Sequence, residues 1–268
     1  MCKALCVSRS GYYRFLNRAP SSKEERKRYL ESHIVEYFER FKARYGAPRL
    51  TVALKQSAIK CSLNTVAKVL SERGLRAKNG RNFRYSRFSY ATLNVAENVL
   101  NRQFSAASPN EKWVTDITYI RCKGQWLYLA TVMDLFSRAI VGWSLDTQMT
   151  ESLIMNALKM AIKRREVSAG LIIHSDRGVQ YRALKYQGLI SKIGAKASMS
   201  RRSNCWDNAV MESFYSRLKV ELVFYEKYQS LEEVKASIFE YIEVFYNRVR
   251  LHSALGYLSP MEYESRYA

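Results

Sequence analysis

The chain has 268 residues, of which 47% are hydrophobic, so it is long enough for more than one domain and for a sizeable buried core. It contains 44 Lys and Arg against 24 Asp and Glu, a formal net charge of +20, which favours a polyanionic partner such as DNA. No apolar run approaches a membrane span and no signal peptide opens the chain, so we expect a soluble, cytoplasmic protein.

The distribution of charge indicates which part of the chain binds DNA, and the spacing of the cysteines and histidines bears on metal and disulfide sites. Residues 1–110 hold 22 Lys and Arg against 7 Asp and Glu, whereas residues 111–268 hold 22 against 17, so the first part is expected to be the main DNA anchor. Five cysteines and three histidines are scattered without Cys-x-x-Cys or His-x-x-x-His spacing. This argues against a zinc module and a disulfide framework, and it fits a reducing compartment.

The N-terminal part is predicted to be helical. Residues 1–22 are interpreted as a short junction segment and residues 23–78 as a small all-α domain, opening with an amphipathic helix over 23–44. Two short helices, over 49–57 and 62–73, joined by a tight turn, predict a helix-turn-helix.

The second of these short helices has a defined start, end and face. Ser62 is expected to be its N-cap and Gly74 its C′ residue. Its predicted apolar face consists of Leu63, Val66, Ala67 and Leu70. The residues predicted to enter a major groove are Asn64, Thr65 and Lys68. A plain three-helix bundle without groove contact is the alternative, and the charge bias favours DNA.

Residues 79–110 are predicted to form a basic, aromatic arm or linker. No acidic residue occurs between Glu72 and Glu97, and arginines alternate with aromatic residues there. Arg81, Arg84 and Arg87 are the predicted phosphate contacts, with neighbouring rings on sugars or exposed bases.

From residue 112 the pattern changes to β-structure, and residues 111–224 are predicted to form a catalytic core. Three strands are expected to form an antiparallel meander, followed by helix, strand, helix, strand and a final helix starting near Trp206. The predicted strands cover 113–122, 126–135, 139–145, 171–174 and 195–200, and the helices between them cover 151–165 and 182–193. This order is that of a ribonuclease-H-like α/β fold, a mixed five-stranded sheet with helices on both faces.

Residues 225–268 are predicted to be a C-terminal helix, over 231–247, and a basic tail. The helix is expected to pack on the core. Arg248, Arg250 and His252 follow it, and DNA contact and structural capping are equally open for them.

Three acidic residues are predicted to meet at one edge of this sheet. Asp116 falls midway along the first, central strand; Asp176 follows after 59 intervening residues, just past the fourth strand; and Glu212 follows after 35 more intervening residues, on the final helix. A trio of carboxylates suits Mg²⁺ or Mn²⁺, and two such ions about 3.5–4 Å apart support in-line phosphoryl displacement. Without cations, the three carboxylates would repel one another.

The final helix is predicted to be amphipathic, capped by Asn204 or Asp207. An apolar stripe recurs every four residues, and a second face joins Glu212 to Lys219. The stripe consists of Val210, Phe214, Leu218 and Leu222; the second face, expected to be exposed, consists of Glu212, Tyr215, Ser216 and Lys219. An ordinary solvated helix face is the alternative for Glu212 and Lys219 taken alone.

Other titratable groups near these positions are expected to be structural. Asp134 is predicted to close a turn and to pair with Arg138. His174 is expected to make a structural hydrogen bond, with a proton-shuttling role left open.

Four motifs together resemble the DDE transposases of bacterial insertion sequences. They are Trp113-Val-Thr-Asp116-Ile-Thr-Tyr, His174-Ser-Asp176-Arg-Gly-Val-Gln-Tyr181, Ser203-Asn-Cys-Trp-Asp-Asn-Ala-Val-Met-Glu212-Ser-Phe, and the run from Tyr246 to Pro260. The closest group encodes its enzyme in two overlapping frames, and the chain is similar to the second-frame product, OrfB, whose core resembles that of retroviral integrases.

The resemblance implies an enzyme that cuts and joins DNA. Asp116, Asp176 and Glu212 would bind two Mg²⁺ (or Mn²⁺), and water and then a DNA 3′-hydroxyl would attack phosphodiesters. Lys219 would touch the DNA end, and Arg201 and Arg202 are candidate substrate contacts.

The resemblance also implies binding partners, and the sequence departs from the family pattern at one position. The implied partners are double-stranded DNA at element ends and target, further copies of the chain, and the upstream-frame OrfA product, in a bacterial cytoplasm. Ser203 stands where the family is expected to have Gly. A hydrolysis-only ribonuclease-H-like nuclease and a non-catalytic DNA-binding regulator are the alternatives.

Overall fold

A computed structural model of the chain describes residues 2, 6–78, 95–201 and 205–268, and the chain divides into two units, Met1–Lys78 and Asn79–Ala268. The smaller unit is helical. Its helices are α1 (Arg9–Leu16), α2 (Ser22–Arg40), α3 (Ala47–Gln56) and α4 (Leu63–Glu72).

The ends of α3 and α4 follow from local sequence. Gly46 precedes α3 and Pro48 stands in its first turn, where the fixed φ and missing N–H of proline suit the start of a helix. The Ser62 hydroxyl accepts the Thr65 N–H at 3.1 Å, and Gly74 adopts φ +65° just beyond α4, which confirms the predicted cap and C′ residue.

The buried face of α4 differs from the predicted one. Val66, Val69 and Leu70 are buried, whereas Leu63 is 47% exposed and Ala67 is also exposed, so the prediction is wrong for those two. Steps of three and four from Val66 set the face that meets α2 and α3, and Leu63 in the first turn lies outside that contact.

The larger unit is built on a mixed five-stranded sheet, as predicted. The strands are β1 (Lys112–Cys122), β2 (Gln125–Asp134), β3 (Ile140–Asp146), β4 (Ile172–Ser175) and β5 (Lys196–Met199). They lie in the order β3-β2-β1-β4-β5; β2 runs antiparallel to β1 and to β3, whereas β4 runs parallel to β1 and to β5. Lys123 and Gly124 both have positive φ and form the predicted hairpin turn between β1 and β2.

Helices cover both faces of the sheet. They are α5 (Glu151–Arg164), α6 (Leu184–Lys192) and α7 (Ala209–Glu221). Ala130 and Val132 of β2 pack in the core with α5, whereas Thr131 between them hydrogen-bonds Tyr215 of α7. Because alternate strand residues point to opposite faces, α5 and α7 lie on opposite sides of the sheet.

Part of the predicted arm belongs to this unit. Leu100 is buried, and its N–H donates to Ser198 Oγ at 3.1 Å, so the segment after residue 95 packs on the core. Arg81, Arg84 and Arg87 lie outside the described residues.

The C-terminal part begins with α8 (Leu231–Phe239), which widens into a π-helix over Glu240–Tyr246 and is followed by α9 (Pro260–Tyr267). Arg250 is buried and binds Glu221 at the end of α7: Nη2 lies 2.7 Å from Oε1, and Nε lies 3.0 Å from Oε2. Tyr241 donates its hydroxyl to the same carboxylate at 2.9 Å. Of the two roles open for Arg250, the structural one therefore holds, whereas Arg248 is exposed.

None of the described helices is both long and apolar enough to span a membrane.

We expect Gly142→Ala to destabilise the larger unit strongly. A Cβ on Gly142 of β3 would lie 2.2 Å from the Ala157 carbonyl oxygen of α5, and backbone cannot yield as a side chain does. The expected loss in the free energy of unfolding is about 3 kcal/mol or more. Gly188→Ala in α6 is the matched control, because nothing lies within 4 Å of the added atom, and it should stabilise the unit by up to about 1 kcal/mol.

Urea unfolding followed by tryptophan fluorescence checks this prediction. All four tryptophans, Trp113, Trp126, Trp143 and Trp206, lie in the larger unit, so the signal reports on that unit. Equal unfolding midpoints for Gly142→Ala and the wild type would contradict the close approach of α5 to β3.

We also expect Arg250→Met to cost about 3–5 kcal/mol of unfolding free energy, because it leaves the Glu221 carboxylate buried without its cation. The double substitution with Glu221→Met should recover part of this loss, and Arg248→Met should stay within about 0.5 kcal/mol of the wild type. The same urea titration measures all three variants. If Arg250→Met were no more harmful than Arg248→Met, the buried ion pair would contribute nothing to the fold.

Candidate active site

Asp116 and Asp176 are brought together by the parallel pairing of β1 and β4. Val114 of β1 pairs with His174 of β4, and the two aspartates each lie two residues further along their chains. The same register carried two residues on places Asp116, midway along β1, beside Asp176, just past the carboxyl end of β4. The predicted convergence of these two residues therefore follows from the observed pairing.

The two aspartates have similar surroundings. Asp116 Oδ1 accepts the Ile117 N–H, and Asp176 Oδ1 accepts the Gly178 N–H, each at 2.8 Å. A Cβ on Gly178 would lie 2.9 Å from that Asp176 oxygen, so a larger residue would crowd the carboxylate. Gly178 is a supporting residue that the sequence analysis missed, although it stands in the quoted Asp176-Arg-Gly motif.

The carboxyl groups disfavour each other's charge. Burial raises the pKa of Asp116 well above its ordinary value, and the negative charges of Asp176 and Glu212 raise it further. The pKa values of Asp176 and Glu212 are also raised by burial. The site thus holds carboxylates that positive charge would stabilise.

Glu212 lies in the first turn of α7 and is half-buried. Tyr215, one turn further, is buried and binds β1 and β2: its hydroxyl donates to the Asp116 carbonyl at 2.5 Å and lies 2.8 Å from Thr131 Oγ1. The predicted exposure of Tyr215 is wrong, because Tyr215 lies where α7 meets the sheet, whereas Ser216 of the same predicted face is exposed as predicted. Tyr215 is a second residue whose role the sequence analysis missed.

Lys219 is buried as well, against the prediction. Its Nζ lies 4.3 Å from the centre of the Tyr119 ring, and its ammonium group interacts electrostatically with the Asp116 carboxylate. Burial lowers the pKa of Lys219 to about 8, and the Asp116 carboxylate opposes that shift. The structure therefore places the predicted lysine beside the first predicted acid. Phe214, Leu218 and Leu222 of the predicted apolar stripe are buried, and Val210 is half-buried.

Asp207 is not a helix cap. A 3-10 turn, Cys205–Asn208, precedes α7, and Asn208 at the cap position makes no side-chain cap hydrogen bond. The buried Asp207 carboxylate instead receives Arg201 Nη2 and Arg102 Nε, each at 2.8 Å. Hydrogen bonds from Arg201 lower the pKa of Asp207 below its usual range. A buried carboxylate needs such partners, and they outcompete a capping role.

Of the two arginines predicted to contact substrate in this loop, the structure describes Arg201 but not Arg202. Arg201 keeps 48% of its side chain exposed while it holds Asp207. Arg202, Ser203 and Asn204 lie outside the described residues.

His174 and Asp134 have structural surroundings. The buried His174 ring lies between two hydroxyls, with Nδ1 2.8 Å from Ser198 Oγ and Nε2 3.1 Å from Ser200 Oγ, and burial lowers its pKa to about 4. Asp134 closes the turn as predicted, since it accepts the Phe136 N–H at 2.9 Å. The expected pairing with Arg138 is not made, because Arg138 Nη2 donates to the Phe104 carbonyl at 2.8 Å.

On α4 of the smaller unit, Asn64 and Lys68 are exposed. Thr65 is half-buried, and its hydroxyl lies 2.9 Å from Ser62 Oγ. Lys68 Nζ lies 3.8 Å from the Glu72 carboxylate, a surface pair that a phosphate could displace.

The acidic site fits a hard cation in its chemistry but does not form a closed cage. Among the described residues, no three or more His, Cys, Asp and Glu side chains gather closely enough to hold a metal ion. Asp116 and Asp176 each use Oδ1 for a backbone N–H, and the described hydrogen bonds leave both Oδ2 atoms available. Oxygen donors with raised pKa values are what Mg²⁺ or Mn²⁺ would stabilise as anions.

Comparison with known families agrees with this architecture. Residues 106–205 and 212–267 match two models described as integrase core domain, and residues 24–83 match an HTH-like domain. The simian T-cell lymphotropic virus intasome shares the fold, with a TM-score of 0.51 and 16% identity over 82% of this chain and 70% of that chain.

Curated relatives match almost the whole chain. Transposase InsF for insertion sequence IS3A of Escherichia coli is 43% identical over 268 residues, covering 99% of this chain and 93% of the relative. The uncharacterized 31 kDa protein of insertion element IS600 from Shigella sonnei is 40% identical over 267 residues, covering 100% of this chain and 98% of the relative. The chain therefore belongs to the IS3 family of insertion-sequence transposases, with a ribonuclease-H-like integrase core and an HTH-like domain.

Proposed function

We propose that Asp116, Asp176 and Glu212 are the catalytic carboxylates with which this transposase cleaves DNA at the element's ends and transfers the resulting strand. The observation that carries the proposal is the pairing of β1 with β4, which sets Asp116 beside Asp176 within the electrostatic reach of Glu212. Membership of this transposase family supports strand transfer as the reaction. The cluster of buried, mutually repelling acids is the site that we propose for it.

These three residues would hold the divalent cations. Two Mg²⁺ or Mn²⁺ ions bound there would activate the attacking oxygen and stabilise the leaving oxygen of an in-line displacement. Their positive charge would also remove the repulsion that raises the pKa of Asp116.

The reaction proposed has two phosphoryl transfers. Water attacks a phosphodiester at the element's end and releases a 3′-hydroxyl, and that hydroxyl then attacks a phosphodiester of the target and displaces its 3′-oxygen. The hydrogen bonds of Tyr215 to the Asp116 carbonyl and to Thr131 hold Glu212 against the sheet, so Tyr215 is a positioning residue. Lys219 would place its ammonium against the DNA end.

DNA binding is proposed for three further sets of residues. Asn64, Thr65 and Lys68 of α4 would enter the major groove, as in a helix-turn-helix. Arg81, Arg84 and Arg87 would contact phosphates, and Arg201 and Arg202 would lie near the substrate strand. We further propose assembly of the chain as a homo-oligomer on paired ends, with fusion to or association with the OrfA product.

We expect Asp116→Asn, Asp176→Asn and Glu212→Gln each to lower end cleavage and strand transfer by at least about 100-fold, because each removes charge that the transition state needs. Labelled oligonucleotides carrying the element's ends measure both products. Asp146→Asn, on the edge strand β3, is the control and should keep activity. Cleavage without any joined product would favour the hydrolysis-only nuclease, and binding without either product the non-catalytic regulator.

Measurements of stability distinguish a variant that has lost a catalytic group from one that is misfolded. The raised pKa of Asp116 means that its charged form opposes folding at neutral pH, so Asp116→Asn should keep or raise the free energy of unfolding without metal. Mg²⁺ or Mn²⁺ should raise the Tm of the wild type and leave that of Asp116→Asn nearly unchanged. Equal stabilisation of both proteins by the metal would show that Asp116 is not a ligand.

Substitutions on α4 and in the arm should have different signatures in gel-shift titrations. Asn64→Ala should weaken binding to the element's end by about 1–3 kcal/mol and spare unrelated duplexes, because base contacts carry specificity. Replacing Arg81, Arg84 and Arg87 by Gln should weaken all duplexes alike and reduce the salt dependence of binding. A loss confined to one sequence in the arm variant would contradict its phosphate-binding role.

A further inference from the structure

A groove of about 470 Å³ lies between the tip of the β1–β2 hairpin and the segment that follows α7. This volume falls within the range of about 300–1,000 Å³ that is common for ligand sites. Four cations line it, Arg121, Lys123, Lys219 and Lys227, against one carboxylate, Glu226. The groove is therefore complementary to an anionic ligand.

Aromatic rings line the same groove and are unusually accessible. Tyr119 is 43% exposed, Trp126 46% and Phe224 55%, and the Tyr119 and Trp126 rings meet edge to face with centroids 5.1 Å apart. Exposed rings beside cations offer π-faces to a ligand that also carries negative charge.

The two rings in contact, Tyr119 and Trp126, have a cation against each of them. Lys219 Nζ lies 4.3 Å from the centre of the Tyr119 ring, and the Arg121 guanidinium carbon lies 4.8 Å from that of Trp126. A backbone hydrogen bond fixes the hairpin turn to the segment that follows α7, because the Lys123 N–H donates to the Tyr228 carbonyl at 3.1 Å. The groove is thus pre-formed, which lowers the entropy lost on binding.

Lys219 joins this groove to the proposed catalytic carboxylates, because its ammonium interacts with Asp116 and also lies against the Tyr119 ring. Arg121 lies five residues beyond Asp116 on β1, about 17 Å along the strand, and this odd step turns its side chain, like that of Tyr119, to the face opposite Asp116. Beyond Val114, β1 pairs with β2 alone among the described strands, so its other edge carries no strand there. Lys219 therefore connects the two faces across this edge, and the groove leads from it along the strand.

We propose that this groove binds unpaired nucleotides of the DNA strand adjoining the cleaved phosphate, with bases on Trp126 and Tyr119 and phosphates against Arg121 and Lys123. The inference rests on the proposed function, since the carboxylates fix which phosphate adjoins the groove. A duplex keeps its bases stacked on one another, whereas an unpaired strand can lay its π-faces on protein rings. The ligand class is single-stranded DNA, irrespective of sequence.

Binding of the full chain to two matched duplexes tests this. One duplex is blunt, the other carries an unpaired tail of about five thymidines, and EDTA prevents cleavage. Fluorescence anisotropy should show tighter binding of the tailed duplex by about 5- to 100-fold, from about 1–3 kcal/mol per stacked base. Trp126→Leu should bring the ratio of the two affinities close to one, and Arg121→Gln should reduce it. Phe239→Leu, an exposed ring on α8 outside the groove, should keep it.

A ratio that stays at its wild-type value in both Trp126→Leu and Arg121→Gln overturns the inference, even if both affinities fall together. A wild-type ratio near one overturns it as well. Circular dichroism of each variant shows that the comparison is between folded proteins. The assay needs neither metal nor catalysis, so its failure is distinct from that of the proposed function, which the carboxylate variants test; a wild type that binds neither duplex would count against the proposed DNA-binding function itself.

Discussion

The crowding of carboxylates beside the carboxyl end of β4 is the constraint on which the larger unit depends. The parallel pairing of β1 with β4 brings Asp116, midway along β1, beside Asp176, although 59 residues lie between them in the sequence. Burial and mutual repulsion raise the pKa of Asp116, which means that the fold holds a site whose charged form is unfavourable without a cation. The surrounding strands and the apolar core supply the stability that this arrangement costs.

Glu212 has to be held against that site, and α7 is fixed at its middle and at its end to do so. At the middle, Tyr215 binds the Asp116 carbonyl and Thr131; at the end, Glu221 binds Arg250 and Tyr241. The residues after the core in sequence are therefore part of the same framework. A substitution at Arg250 would therefore affect the proposed catalytic acids through the position of α7.

Local patterns predicted the strands, the hairpin turn and the three acids, because alternation and turn residues act over a few positions. They could not predict partners from distant segments. The sequence predicted that Asp207 caps a helix, yet its carboxylate accepts a hydrogen bond from Arg102, which is 105 residues away. Helical periodicity placed Tyr215 and Lys219 on the same face as Glu212, but it could not predict that these two side chains are buried. The buried pairing of Arg250 with Glu221 likewise depends on tertiary contact, which left its role open from sequence alone.

The count of 44 Lys and Arg overstates the number of cations available to DNA. Arg102 and Arg201 share the buried carboxylate of Asp207, and Arg250 pairs with Glu221, so these cations also serve the fold. A cation already paired with a buried carboxylate displaces few counterions from a phosphate. Arg121, Lys123 and Lys227 line the groove, where Glu226 is the one carboxylate among the described lining residues, so their positive charge exceeds the negative charge beside it. The salt dependence of DNA binding should therefore reflect this groove, α4 and the arm, since composition alone does not distinguish structural arginines from those that meet DNA.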